Sequence, residues 1–206
     1  VRGLHLLLAC AAALSGAVLT GCAAHARSTG GSQARTLPRQ SVAASHPALA
    51  NAQRYLEERP GWDIDCSGFV RACYRSEAMT RYAQRQPASR NMAQVLFRYC
   101  TDHGKRRKRF AEMQPGDIVI FNKTYDANRD GAIDEKDRWT HAGIVESYED
   151  GVLTYLDSSR GRKGDKIRRR AFSIRPGGLN ERVAVDPKTG TVIRHRETFD
   201  SAFGLE

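Results

Sequence analysis

Apolar residues recur with two different periods along this chain, and the change of period divides it. Up to about residue 100 the period is helical. A segment from near Pro47 through Tyr55 and Leu56 stops at Arg59-Pro60-Gly61, a helix-ending combination. Cys66, Phe69, Val70 and Cys73 fall at i, i+3, i+4 and i+7, the apolar stripe of an amphipathic helix. Asp65 and Ser67 flank its start, where side-chain oxygens satisfy the orphan amides of a first turn. Met92, Val95, Leu96 and Tyr99 mark another helix over 91–99. After Gln114-Pro115-Gly116 the pattern is that of strands, at 117–121, 142–145 and 152–156, the last two joined by a turn around Asp150-Gly151. Residues 167–174 and 182–185 add strands, and 186–190 reads as a hairpin turn before Val192-Ile193. Helices first and an antiparallel sheet afterwards predict the α+β class.

The ends of this pattern carry other information. Residues 4–19 are almost wholly apolar with Arg2 the only full charge ahead of them, which predicts a secretory signal core rather than a membrane span. Leu19-Thr20-Gly21-Cys22 follows, and it resembles the lipobox of bacterial lipoproteins. That resemblance implies cleavage before Cys22, acylation of its thiol and amine, and a lipid anchor in the membrane. Residues 1–21 are then a lipoprotein signal peptide. The expected location is the cell envelope outside the cytoplasm; with Ala23 next, a Gram-negative cell would sort the protein to the periplasmic face of the outer membrane. Residues 22–45, rich in Ala, Ser, Gly, Arg and Gln, read as a flexible tether. The folded domain is expected at 46–206.

Composition narrows the partners. The 206 residues suffice for one domain with a real core and hardly for two. Lys+Arg outnumber Asp+Glu by 33 to 23, a formal +10, which implies an anionic partner or surface. An extracytoplasmic setting excludes nucleic acid as that partner. The run Lys105-Arg106-Arg107-Lys108-Arg109 reads as a solvated loop, with contact to an anionic glycopolymer or lipid headgroups as the functional alternative. The five cysteines show no paired CxxC spacing for zinc. With Cys22 and Cys66 assigned elsewhere, Cys73 and Cys100 either pair or stay as buried thiols.

Cys66 sits where a helix begins. There the helix dipole favours a thiolate, and free first-turn amides can cradle an oxyanion. His141 opens a strand directly before the small residues Ala142 and Gly143. A helix-start cysteine, a strand-start histidine and a polar third residue are what a thiol hydrolase needs. Three blocks in order, Asp65-Cys66-Ser67-Gly68-Phe69-Val70, residues 114–121 and His141-Ala142-Gly143-Ile144-Val145, resemble the NlpC-type cell-wall peptidases over roughly 50–160. The resemblance implies a papain-like fold with the nucleophile at a helix start packed on a C-terminal antiparallel sheet. It implies Cys66 as nucleophile, His141 as base and peptidoglycan stem peptides as substrate, cut typically between D-γ-glutamyl and a diamino acid. Where the family often carries a Tyr-x-Trp-Gly-Gly-like approach, this chain has Gly61-Trp62-Asp63-Ile64. Alternatives are a related thiol amidase or acyltransferase, and a catalytically silent wall-binding lipoprotein.

Alignment with the family's third catalytic position puts Asp157 there. A two-residue Asp150-Gly151 turn would pair residue 157 with 144 and point Asp157 away from His141. An odd-length loop or a bulge restores the shared face, and Ser158 is the fallback.

A second pattern lies at 126–137. Asp126, Asn128, Asp130, Ala132 (through its carbonyl), Asp134 and Asp137 follow the spacing of an EF-hand or dockerin-type calcium loop, with Gly131 at the bend. Structural Ca2+ is expected at this insertion, and no organic cofactor.

Overall fold

Side-chain caps start four helices of the computed structural model, which describes residues 46–86, 91–160, 163, 164 and 166–205. The predicted signal peptide, Cys22 and the tether lie outside them. α1 (Pro47–Glu58) has proline in its first turn and a His46 ring nitrogen accepting from the Ala48 amide. α2 (Cys66–Tyr74) is capped by Asp65, α3 (Glu77–Gln84) by Ser76 and α4 (Met92–His103) by Asn91. The expected helices at 47–58, 66–74 and 91–99 are present, the last running four residues longer. α3 was not expected. Met79 is its single buried residue, so its apolar period is too sparse to read.

The main sheet has the order β1-β8-β2-β3-β4-β5 and is antiparallel throughout. Its strands are β1 (Lys105–Arg107), β2 (Ile118–Phe121), β3 (His141–Glu149), β4 (Val152–Ser158), β5 (Ile167–Ser173) and β8 (Phe199–Gly204). β6 (Arg182–Val185) and β7 (Val192–Arg194) form the expected hairpin, followed by the short α5 (His195–Thr198). The architecture is α+β, as the periods predicted.

One finding corrects the sequence reading and another adds to it. The basic run does not remain a solvated loop. Its first three residues form edge strand β1, where Arg107 pairs with the buried Asp117 at 2.6 Å and Arg106 with Asp200 at 3.0 Å. The C-terminal segment supplies a strand inside the sheet, because β8 lies between the edge strand β1 and β2.

Alternation gives the sheet two buried faces. Ile118, Ile120, Ile144 and Leu156 face the helices and meet Phe69, Val70 and Leu96. Val119, Phe121, Val145, Tyr155 and Phe172 form a second core on the other side. Cys73 and Cys100 are free and buried with the helix-side core. Burial pushes both thiols up, that of Cys100 to about 12, so neither is a nucleophile near neutral pH.

The β3–β4 hairpin settles which residues share a face. Asp150 and Gly151 both take positive φ, at 51° and 80°, the conformation of a tight two-residue hairpin turn. From that turn Glu149 pairs with Val152 and Ser147 with Thr154. A bulge at Glu146 then shifts the register, so that Val145 pairs with Tyr155 and Gly143 with Asp157. Asp157 therefore shares the face of His141. The bulged Glu146 is held by Arg169 at 2.5 Å and by Gln53 of α1 at 3.0 Å.

Candidate active site

Cys66 is the first residue of α2, fixed there by Asp65. The Asp65 carboxylate accepts from the Gly68 amide at 2.6 Å and from the Ser67 hydroxyl at 2.7 Å. A side chain at position 68 would meet Ile64 at 2.8 Å, so glycine is required for this approach. Ser158 Oγ donates to the Ile64 carbonyl at 2.7 Å and so ties the end of β4 to the segment entering α2. That bond commits the Ser158 hydroxyl to Ile64, and the partner at the imidazole is Asp157.

His141 begins β3 at the same end of the sheet. Its Nε2 lies 2.7 Å from Asp157 Oδ2, and Cys66 stands beside the ring at the wall of the same cleft. With Nε2 engaged by Asp157, Nδ1 is the nitrogen left for the thiol. The structure thus brings Cys66, His141 and Asp157 into one chain. Burial of the ring opposes its charge, but the Cys66 sulfur and the Asp157 carboxylate outweigh it and hold the imidazolium up to about 10. Asp157 is fully buried, which alone would raise its pKa. The His141 hydrogen bond and charge, with Arg170 and Arg168, pull it below the usual carboxylate range.

Cys66 and His141 open into a cleft of about 290 Å³. Met92 and Ala93 from the start of α4 line it, together with Tyr125 and Arg160. Sequence reasoning missed Tyr125. It precedes the acidic insertion by one residue, and no periodicity points a loop tyrosine at a cleft.

The insertion between β2 and β3 is cross-tied at its base. Thr140 N donates to the Phe121 carbonyl at 2.8 Å, Lys123 N to that of Asp137 at 2.7 Å, and the Thr124 and Thr140 hydroxyls meet at 2.8 Å. Within it the acidic side chains accept backbone amides. Asp126 takes those of Arg129 and Gly131, Asn128 that of Asp130, Asp130 that of Ala132, and Asp134 that of Lys136. Asp137, wholly buried, takes those of Ala127, Asn128 and Asp134 and latches the loop ends together. Lys136 Nζ stands 3.5 Å from Asp130 and 3.8 Å from Asp134. Among the described residues no group of three or more His, Cys, Asp or Glu is arranged to hold a metal ion. The donors are hard oxygens suited to calcium, but they are spread along local turns rather than converged.

Comparison with curated proteins and with solved structures gives no match. The profile of the NlpC/P60 family matches residues 52–167, a span that includes Cys66, His141 and Asp157. Members of this family are generally cysteine peptidases or related hydrolases acting on the cell wall, and this chain belongs to the NlpC/P60 family.

Proposed function

We propose that the protein is a thiol endopeptidase of the bacterial cell wall that cuts peptidoglycan stem or cross-link peptides at the bond between D-γ-glutamyl and a diamino acid. The observation that carries this reading is Cys66 beside His141, with His141 hydrogen-bonded to Asp157, along an open cleft. The Cys66 thiolate attacks the scissile carbonyl carbon. The amides of Cys66 and Ser67, which have no intrahelical partner in a first turn, face the developing oxyanion. As the C–N bond breaks, the imidazolium gives its proton to the leaving nitrogen and a thioester remains on Cys66. Water then attacks the thioester, His141 takes its proton, and the thiolate is released. Asp157 fixes the ring and supports its charge throughout. The formal charge of +10 suits a carboxylate-rich polymer. A small thiol-directed probe is expected to label Cys66 stoichiometrically in the folded protein and spare Cys73 and Cys100. Absence of labelling at Cys66 would favour a silent wall-binding protein instead.

The same reading includes a lipid anchor at Cys22, supported by the Leu19-Thr20-Gly21-Cys22 sequence. Labelled fatty acid is expected to enter the wild type and not Cys22→Ala, which moves to the soluble fraction. Equal labelling of the two removes the anchor.

Calcium at 126–137 is a further part of the reading, supported by the order of oxygen donors in the sequence. Binding would draw Asp130 and Asp134 from Lys136 toward the ion. The loop ends at Thr140, next to His141, so tightening it steadies the imidazole. Added calcium is expected to raise the melting temperature by several degrees, and Asp126→Ala with Asp130→Ala to remove that rise. A calorimetric titration showing no heat up to ~1 mM, the range of weak extracellular sites, would refute it.

A further inference from the structure

Behind the imidazole, on the face of the sheet turned away from the helices, a second cavity of about 200 Å³ adjoins the catalytic cleft. Phe121, Tyr155 and Val183 give it apolar walls. Tyr125, His141 and Ser159 line both spaces, so the cleft and the cavity meet at the imidazole. Tyr125 is the large side chain at that junction. Among the described residues it is also the one Phe, Trp or Tyr that is exposed, at 46%.

The exposure is not that of a loose loop, because the backbone is tied on both sides of Tyr125. Before it, the Thr124 amide donates to the Thr140 hydroxyl at 2.9 Å, and the two threonine hydroxyls meet at 2.8 Å. After it, the Asp126 carboxylate accepts from the Arg129 and Gly131 amides, and the Ala127 amide donates to the buried Asp137 at 2.8 Å. The phenol itself has no hydrogen-bond partner among the described residues. Burial, then the charges of Cys66, Asp65 and Asp137, hold it above its ordinary range, so the hydroxyl keeps its proton and can donate. A fixed ring, half in water beside the nucleophile and carrying a free donor, is suited to a peptide. Its face covers apolar side-chain atoms while its polar tip bonds an oxygen.

We propose that Tyr125 binds the substrate residue that leaves with the amine, its ring covering that residue's side chain and its hydroxyl donating to that residue's carbonyl or carboxylate oxygen. The proposal rests on the endopeptidase reading, which sets the direction. The acyl half stays on Cys66 at the start of α2. The leaving nitrogen takes its proton from His141, so the amine half lies across the imidazole, where the two spaces meet and Tyr125 stands. Tyr125 touches the substrate and takes no part in moving the proton.

The test uses one synthetic stem peptide and its two cleavage fragments. Tyr125→Ala is expected to raise KM for the peptide about 30-fold, the combined scale of one hydrogen bond and partial ring burial. Tyr125→Phe keeps the ring and is expected to raise it about 5-fold. The contact is made alike in the ground and transition states, so kcat stays near the wild-type value. In calorimetry the amine-side fragment loses affinity for Tyr125→Ala, and the acyl-side fragment does not. Iodoacetamide alkylates Cys66 in both variants at least as fast as in the wild type, because the thiol and imidazole are untouched. If kcat and alkylation fall together instead, Tyr125 only holds the loop beside His141 and the proposal is overturned. An unchanged KM in Tyr125→Ala overturns it too, as does weakened binding of the acyl-side fragment in place of the other. If the wild type cleaves no stem peptide, the endopeptidase reading fails and the fragment titrations decide alone. Amine-side binding that weakens in Tyr125→Ala upholds the contact; equal or absent binding removes it.

Discussion

Cys66→Ser is expected to abolish the proposed peptidoglycan hydrolysis, with kcat falling at least ~10,000-fold, the scale on which nucleophile losses act in such catalytic units. The fold is expected to survive. Cys66 stands at the mouth of the cleft, while the buried face of α2 is made by Phe69, Val70 and Cys73. The Asp65 cap on Gly68 does not involve the sulfur. Thermal denaturation should therefore give a midpoint within a few degrees of the wild type, as for substitutions that leave packing intact. Neither Cys73 nor Cys100 can substitute, because burial keeps both thiols protonated. Residual turnover above one per cent would remove Cys66 from the mechanism.

Asp157→Asn is expected to have two large effects. Turnover should fall by about 1,000- to 10,000-fold, because an amide neither fixes the tautomer of His141 nor supports its cation. Stability falls by about 3 kcal/mol in denaturant titrations, since His141, Arg168 and Arg170 lose the buried charge they share. The pH dependence follows from the directions of the two shifts. The His141 pKa is raised to about 10 in the fold, so its stabilisation is full below its ordinary value of about 6.5 and is lost as pH rises toward 10. The Asp157 pKa is lowered, so its contribution is present above the ordinary value of about 4 and is lost as pH falls through the depressed one. Wild-type stability from this pair is therefore greatest between about pH 4 and 6.5 and fades on the alkaline side. In Asp157→Asn the His141 titration moves down toward neutrality, and the alkaline limb of activity moves with it. An unchanged alkaline limb would show that Asp157 does not govern the imidazole. Ser158→Ala, which loses only the bond to the Ile64 carbonyl, should leave that limb in place.

What was legible in the sequence was whatever local pattern dictates. The spacing of Cys66, Phe69, Val70 and Cys73 fixes a helix and which face of it is buried. Gln114-Pro115-Gly116 marks the entry to β2, and Asp150-Gly151 marks the hairpin. The face of Asp157 was not legible, because it depends on the bulge at Glu146. That bulge is held by Arg169 of β5 and Gln53 of α1, partners 23 and 93 residues away. β1 was hidden because its lysine and arginines read as solvated charge; pairing with β8 and the Arg107–Asp117 contact make it a strand. The cavity behind His141 was invisible for the same reason. Its walls come from β2, β4, β5, β6 and α5, and only the folded sheet brings them together.

The central claim is that Cys66, His141 and Asp157 cut a stem peptide, and mass spectrometry of purified muropeptides after incubation with the 46–206 domain tests it most directly. The wild type should release fragments beginning with a free diamino acid and leave the sugar-linked half ending in D-γ-glutamate, while Cys66→Ser releases none. Intact stems with the wild type, or loss of the whole stem from the sugar, would contradict the endopeptidase assignment.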